Sequence, residues 1–270
     1  MTVTAARRRI GAGVVAVALV TGAVVGVVAL RHREPPPPSC TVSAGAGTPQ
    51  YSLDIDQAEN STTIAAVGKR LGLPDHAVTV ALAAALQESR LHNLPYGDRD
   101  SLGLFQQRPS QGWGTSAEIL TPSYSAAAFF LALTRVSGWA TLPVTEAAQE
   151  VQRSGAPTAY AQWEEEARTL AMALTGEKEA GLSCRFSLPR AQSPAPDFTS
   201  SMGNELGVTS LATNFATQRG WTVASWLVAH AEQFRLTSIS FRGREWRASS
   251  GRWHNIARID NRIRVLQRQT

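Results

Sequence analysis

The sequence predicts a mainly α-helical domain followed by a small α+β domain, with one membrane-spanning helix ahead of both. Three observations predict this class. Residues 61–91 and 121–133 carry apolar side chains at helical spacing between capping residues and breakers. Beyond residue 236 apolar and polar residues alternate in short runs, as in strands. An uncharged run of 21 residues, Ile10 to Leu30, is long enough to cross a bilayer core. The expected boundaries are a basic tail 1–9, a span 10–30, a Pro-rich spacer 31–50, a helical domain 51–185, a linker 186–200 and a basic α+β module 201–270.

At the amino terminus Arg7-Arg8-Arg9 precede the apolar run, and Arg31, His32, Arg33 and the Pro35–Pro38 stretch follow it. The run is long for a cleaved signal peptide, and no small-x-small cleavage site precedes the basic cluster. An uncleaved anchor with the rest of the chain outside the cytoplasm is therefore expected, the alternative being secretion after cleavage. The prolines would hold the chain off the membrane as a stiff spacer.

Charge divides along the same lines. Residues 1–39 carry five basic against one acidic residue, residues 40–190 eleven against fifteen, and residues 197–270 ten against five. Cys40 and Cys184 have no partners at the short spacing of a zinc site or redox motif. Outside the cytoplasm a disulfide joining them is favoured over free thiols.

Ser61-Thr62-Thr63 can cap a helix through Ile64, Val67 and Leu71, ending at Gly72 before Pro74. Asp75 would cap a second helix running to about Leu91, with Val78, Leu82, Ala85 and Ser89 on one face and Leu86 beside them. Glu88 lies at the margin of that face, above a stripe of Ala77, Ala81 and Ala84 that leaves room for a ligand. A carboxyl group near the negative end of a helix and partly buried suits a proton donor. Read alone, such a glutamate is more often a solvated surface residue.

The neighbouring residues change that balance. Glu88-Ser89 is followed, fifteen residues after Glu88, by Gly103-Leu104-Phe105-Gln106. Thr121-Pro122-Ser123-Tyr124 then leads into a helix through Phe129, Phe130 and Leu133, and Ala147–Gly155 forms a third block. In order and spacing these resemble the three motifs of the lytic transglycosylases of the lysozyme superfamily, over roughly residues 55–175. The stretch from Tyr96 to Gly114 is similar to secreted or anchored actinobacterial cell-wall proteins of that type. The resemblance implies a lysozyme-like fold for the helical domain.

It also implies cleavage of the MurNAc–GlcNAc bond of peptidoglycan by a single carboxyl group, Glu88, acting as general acid. Ser89, Tyr96, Gln106, Gln107, Trp113 and Gln152 are the expected substrate-binding residues, aromatic rings lying on sugar C–H faces and amides reading hydroxyl and acetamido groups. Two departures stand out. Asp100-Ser101 replace the family's Gly-Ala, and Val151-Gln152 replace the Tyr-Asn of the third motif, whose tyrosine helps position sugar or acid. Gln152 could take over that hydrogen bond. Asp98 and Asp100 are candidates for the second carboxylate of a hydrolase, although Gly97–Ser101 is also dense in turn formers.

The run Glu164-Glu165-Glu166 reads as a solvated helix face. His32, His76, His92, His230 and His254 lack metal-ligand spacing, so no metal and no cofactor is expected. In the last segment, Val223, Trp226, Leu227, His230, Ala231 and Phe234 form an amphipathic helical pattern. Ser238–Phe241 reads as a strand, Gly243 as a turn, and Glu245-Trp246-Arg247 and Ile263–Val265 as returning strands. Trp226–Ala231 followed by Gly243-Arg244-Glu245-Trp246 is similar to a C-terminal module of other actinobacterial wall proteins.

Arg242, Arg244, Arg247, Arg252, Arg258, Arg262, Arg264 and Arg268 make this module basic. Its expected partners are anionic wall polymers or stem-peptide carboxylates, with nucleic acid excluded by the compartment. The expected whole is a membrane-anchored enzyme acting on peptidoglycan glycan strands. The alternative is a catalytically silent wall-binding or scaffold protein that keeps the groove.

Overall fold

A computed structural model describes residues 37–186 and 195–268. The chain enters on β1 (Ser39–Ser43), whose inward residues Cys40 and Val42 are buried while Ser39, Thr41 and Ser43 face outward. β2 (Gln50–Leu53) pairs antiparallel with it, so one strand forms within the expected spacer and a second at the start of the expected helical domain. Asp54 then caps α1 (Ile55–Arg70): its carboxylate accepts from Gln57 N at 2.8 Å, and Gln57 Oε1 accepts from Asp54 N at 3.0 Å. This reciprocal cap starts the helix before Ser61. Ser61 and Thr62 are interior instead, their hydroxyls bonded back to Ala58 O at 3.0 and 2.9 Å.

Next comes α2 (Asp75–Ser89), where Asp75 forms an ion pair with Lys69 at 2.7 Å and provides no side-chain cap. The short α3 (Ser116–Ile119) and α4 (Pro122–Leu133) follow, then α5 (Val144–Gln152) and α6 (Glu164–Leu174). Helices α5 and α6 pack on α2, and α4 packs on α1. β3 (Leu182–Arg185) returns to complete a three-stranded sheet of order β2-β1-β3. Cys40 and Cys184 are directly opposite in the β1–β3 register and form a disulfide across a sequence separation of 144 residues.

The remaining elements are α7 (Thr199–Leu206), α8 (Thr217–Ala229), β4 (Leu236–Phe241), β5 (Arg244–Arg247), β6 (Arg252–Asn255) and β7 (Arg264–Gln267). The four strands form an antiparallel sheet of order β6-β5-β4-β7. A tight turn at Arg242-Gly243, both at positive φ, joins β4 to β5. Gly220 on α8 lies against Phe241, whose ring a Cβ there would overlap.

This architecture corrects the expected class. Among the described residues there are eight α-helices and two antiparallel sheets, one of them built into the first half of the chain. The second half is not a module with its own amphipathic helix. Residues 220–231 of and after α8 are buried on every side, and α8 packs on α1, α6, β3 and β4. The described residues from 38 onward accordingly form one compact unit.

Polar bonds cross the same boundary. The Glu205 carboxylate accepts from Thr63 Oγ1 and Trp226 Nε1, each at 2.7 Å. The indoles of Trp246 and Trp253 donate to Cys184 O at 3.1 Å and Leu182 O at 2.7 Å. Burial of Trp221, Trp226 and Trp246 adds a large apolar area to this shared core.

The membrane-spanning helix and single-pass localisation are also not retained. No helix among the described residues is long and apolar enough to cross a membrane. The run at residues 10–30 that suggested it lies outside the described residues.

Candidate active site

Glu88 sits in the last turn of α2, half-buried. The alanines expected to leave space beside it, Ala77, Ala81 and Ala84, are fully buried, so they let neighbouring helices approach closely and do not line the cleft onto which Glu88 opens. The helix stops because Arg90 and Leu91 both turn to positive φ, 55° and 64°. Side chains of α1 hold that reversal from behind: Gln57 Nε2 donates to Arg90 O at 2.9 Å and Asn60 Nδ2 to Leu91 O at 2.8 Å.

The Gly-Leu-Phe-Gln segment is a tight hairpin. Leu102 and Gln107 exchange two backbone hydrogen bonds of 2.9 Å around it. Gly103 adopts φ 75°, and a Cβ there would come within 2.8 Å of Ile119 O. Leu104 and Phe105 point into the core, Phe105 stacking on Phe129 at 4.7 Å. Gln106, at φ 47°, donates its amide to Tyr96 O at 3.3 Å and Gly103 O at 3.2 Å.

Buried Ser89 ties this hairpin to α2. Its Oγ lies 2.8 Å from Leu104 O and 3.1 Å from Ala85 O. From the other side, Gln152 Nε2 donates to Phe105 O at 2.9 Å. Both residues therefore act on the backbone around the site. Gln107 donates to Ser125 O at 3.1 Å, which anchors α4.

The residue that touches the Glu88 carboxyl was missed by the sequence reading. Tyr160, fully buried just before a turn of 3₁₀ helix at Ala161–Trp163, donates its hydroxyl to Glu88 Oε1 at 2.7 Å. Burial, above all, holds the phenol proton well beyond the ordinary range; the Ser154 hydroxyl opposes this and the Glu88 charge adds to it. Tyr160 is thus a neutral donor. Glu88 Oε2 accepts no hydrogen bond from the described residues. Beside them, Trp163 Nε1 donates to Gln87 Oε1 at 2.8 Å and the Arg90 guanidinium stacks 3.9 Å over the Trp163 ring.

Glu88 opens onto a cleft of about 1290 Å³. Its walls come from the Asp98-Arg99 turn, the Gln106–Arg108 end of the hairpin, Trp113, the segment after α4 and the end of α5. Of the expected residues, Glu88, Asp98, Gln106, Gln107, Trp113 and Gln152 line it, whereas Ser89, Tyr96 and Asp100 do not. Tyr96 is 67% exposed outside the lining.

The two candidate second carboxylates differ. Asp100 accepts from Ser110 N at 2.8 Å and Arg108 Nε at 2.7 Å. The Ser110 bonds first, then Arg108, hold its carboxyl well below the usual range, so it fastens a turn and is poorly suited to take a proton. Asp98 projects into solvent at the cleft edge, near Arg99 at 3.9 Å.

Arginines 99, 108, 135 and 153 also line the cleft, and Arg99, Gln106 and Arg153 hold positive φ there. Non-glycine residues in that conformation cost conformational energy and concentrate at ligand sites. Among the described residues no group of three or more His, Cys, Asp or Glu could hold a metal ion. The arrangement offers one carboxyl group, Glu88, with an oxygen fixed by Tyr160, at the wall of an open cleft lined by amides, arginines, Trp113 and two further acids, Asp98 and Glu150. No protein-family model matches the chain, and no curated protein matches it.

Proposed function

We propose that this protein cleaves the MurNAc–GlcNAc bond of peptidoglycan, as a lytic transglycosylase or muramidase, with Glu88 as its acid. The observation that carries this is the Tyr160 hydroxyl on Glu88 Oε1 at the wall of the cleft. The resemblance of Glu88-Ser89, Gly103–Gln106 and Ala147–Gly155 to the transglycosylase motifs supplies the substrate. With its hydroxyl on Glu88, Tyr160 would serve the positioning role that Val151-Gln152 leave open in the third motif.

Glu88 would give its proton to the glycosidic oxygen as that oxygen leaves C1, and the departing sugar keeps the proton as a hydroxyl. The resulting carboxylate would then take the proton of the MurNAc 6-hydroxyl while O6 bonds to C1, giving a 1,6-anhydro end. A hydrolase would use water at the same step, with Asp98 or Glu150 of the cleft lining to assist. Trp113, which lines the cleft, would supply a ring face for a sugar, whereas the Gln106 amide is engaged with Tyr96 O and Gly103 O and would shape the cleft wall.

A catalytically silent wall-binding protein is the second reading. It is favoured by Gln152, whose amide is spent on Phe105 O. Mass spectrometry of muropeptides released from purified peptidoglycan separates the two, comparing the protein with Glu88→Gln. Anhydro-muropeptides from the wild type alone support the transglycosylase, and reducing-end products alone support the muramidase. Folded, wall-bound protein with no product from either variant rejects cleavage.

A further inference from the structure

A second groove, of about 420 Å³, lies where the disulfide-linked sheet meets the turn between β5 and β6. Its floor is the outward face of β1 and β3. Ser39, Thr41 and Ser43 alternate there with buried Cys40 and Val42, and Ser183 and Arg185 continue the face on the neighbouring strand. Its wall is Ser250, Gly251 and Arg252. No carboxylate lines it, in contrast to the Glu88 cleft, which holds Glu88, Asp98 and Glu150.

The wall is packed directly on the floor. Ser183 Oγ donates to Gly251 O at 2.8 Å. A Cβ on Gly251, which holds φ 62°, would come within 2.8 Å of Arg185 Cβ and 3.1 Å of Cys184 O. The disulfide fixes β1 to β3 on the opposite face. The groove is therefore shaped before any ligand arrives.

Several arginines of the C-terminal sheet are already engaged: Arg247 with Glu245, Arg264 with Asp260, Arg242 with Asn261 and Arg244 with Asn255. Arg252 has no acidic partner among the described residues, and Thr41 Oγ1 makes no hydrogen bond there. A cation and a row of hydroxyls with unspent donors, free of acids, suit an oxyanion. Donors from floor and wall together match the several oxygens of a phosphate better than one planar carboxylate. The row from Ser39 to Ser43 runs about 13 Å at strand rise, a length that suits a chain with repeated hydroxyls.

We propose that this groove binds phosphate groups carried on a polyhydroxylated chain, independently of the Glu88 cleft. The test is calorimetric titration of the full chain with a short glycerol-phosphate oligomer, at low and moderate salt. Wild type should bind saturably, with inorganic phosphate competing and a neutral glycerol oligomer inert. Arg252→Gln should weaken binding about tenfold or more, since it removes a charge-assisted contact. Thr41→Val should weaken it less, and Glu88→Gln not at all. Both substituted groove residues lie on the surface, and a thermal melt checks their folding. Absence of binding to wild type, equal binding by Arg252→Gln, or equally tight binding of an oligogalacturonate would each overturn the proposal. Because Glu88→Gln tests only the cleft, failure here and failure of the cleavage reading remain distinguishable.

Discussion

Tyr160 and Glu88 are 72 residues apart in sequence and share a 2.7 Å hydrogen bond, the tyrosine donating. A buried phenol that keeps its proton fixes one oxygen of the carboxyl group and leaves the other without a hydrogen bond from the described residues. Tyr160→Phe keeps the ring and removes only the donor. A hydrogen bond to a charged group is worth about 1.5–3 kcal/mol, so cleavage should fall roughly 10- to 100-fold. The loss should appear in kcat with KM little changed, which steady-state kinetics on solubilised glycan strands would read. A large rise in KM alone would assign Tyr160 to substrate binding.

Ser89→Ala should cost stability more than it costs chemistry directly. It leaves the buried Leu104 carbonyl without its donor at the centre of the hairpin. The expected loss is about 1–3 kcal/mol, a fall of a few degrees in melting temperature. Differential scanning calorimetry checks it, and an unchanged Tm would show that another group satisfies Leu104.

The Cys40–Cys184 bridge closes a 144-residue separation, so its removal chiefly frees the unfolded chain. Replacing both cysteines by Ala should lower stability by about 4–5 kcal/mol on the loop-entropy account. The denaturant midpoint would record this, and wild type in reductant should follow the double variant.

Glu59 gives stability a pH dependence. Burial first, then Asp56, Glu232 and Glu205, push its carboxyl up to about 7. The folded protein therefore holds this proton where the unfolded chain has lost it, and stability falls as pH rises from about 4.5 to 7. Burial lowers His230 in the opposite sense, so that residue weakens the fold as pH falls below about 6.5. Glu59→Gln isolates the first effect. The variant should be more stable than wild type at pH 8, with the gap closing toward pH 4.5. Parallel melting curves across that range would remove Glu59 from the account.

Much of the site's frame was legible because it is local. Glu88 ends α2 as the periodicity indicated, and the fifteen-residue offset has a physical meaning: it is also the interval from Ser89 to Leu104, the two ends of one hydrogen bond. Tyr160 was not legible, because its contact depends on how the chain returns after α5 and on no fixed spacing. β1 was missed since its alternation lasts only five residues within a Gly- and Ser-rich stretch. The start of α1 was misplaced because Ser61–Thr63 resemble a cap, although Asp54 and Gln57 form the reciprocal one. The C-terminal half was misjudged at α8. Thr222 and Ser225 look like a polar face, yet their hydroxyls are spent on Thr175 O and Ala173 O.

The all-round burial of α8 has an evolutionary consequence. Domains that meet through a thin polar seam can be exchanged between genes, each carrying its own interior. Here the interior of the Glu88-bearing half is partly made by residues near the end of the chain, Trp221 and Trp226 among them. A recombination event that swapped that end would strip the cover from α1 and α6. The two halves are therefore expected to descend together, and substitutions facing α8 from either side to change in step.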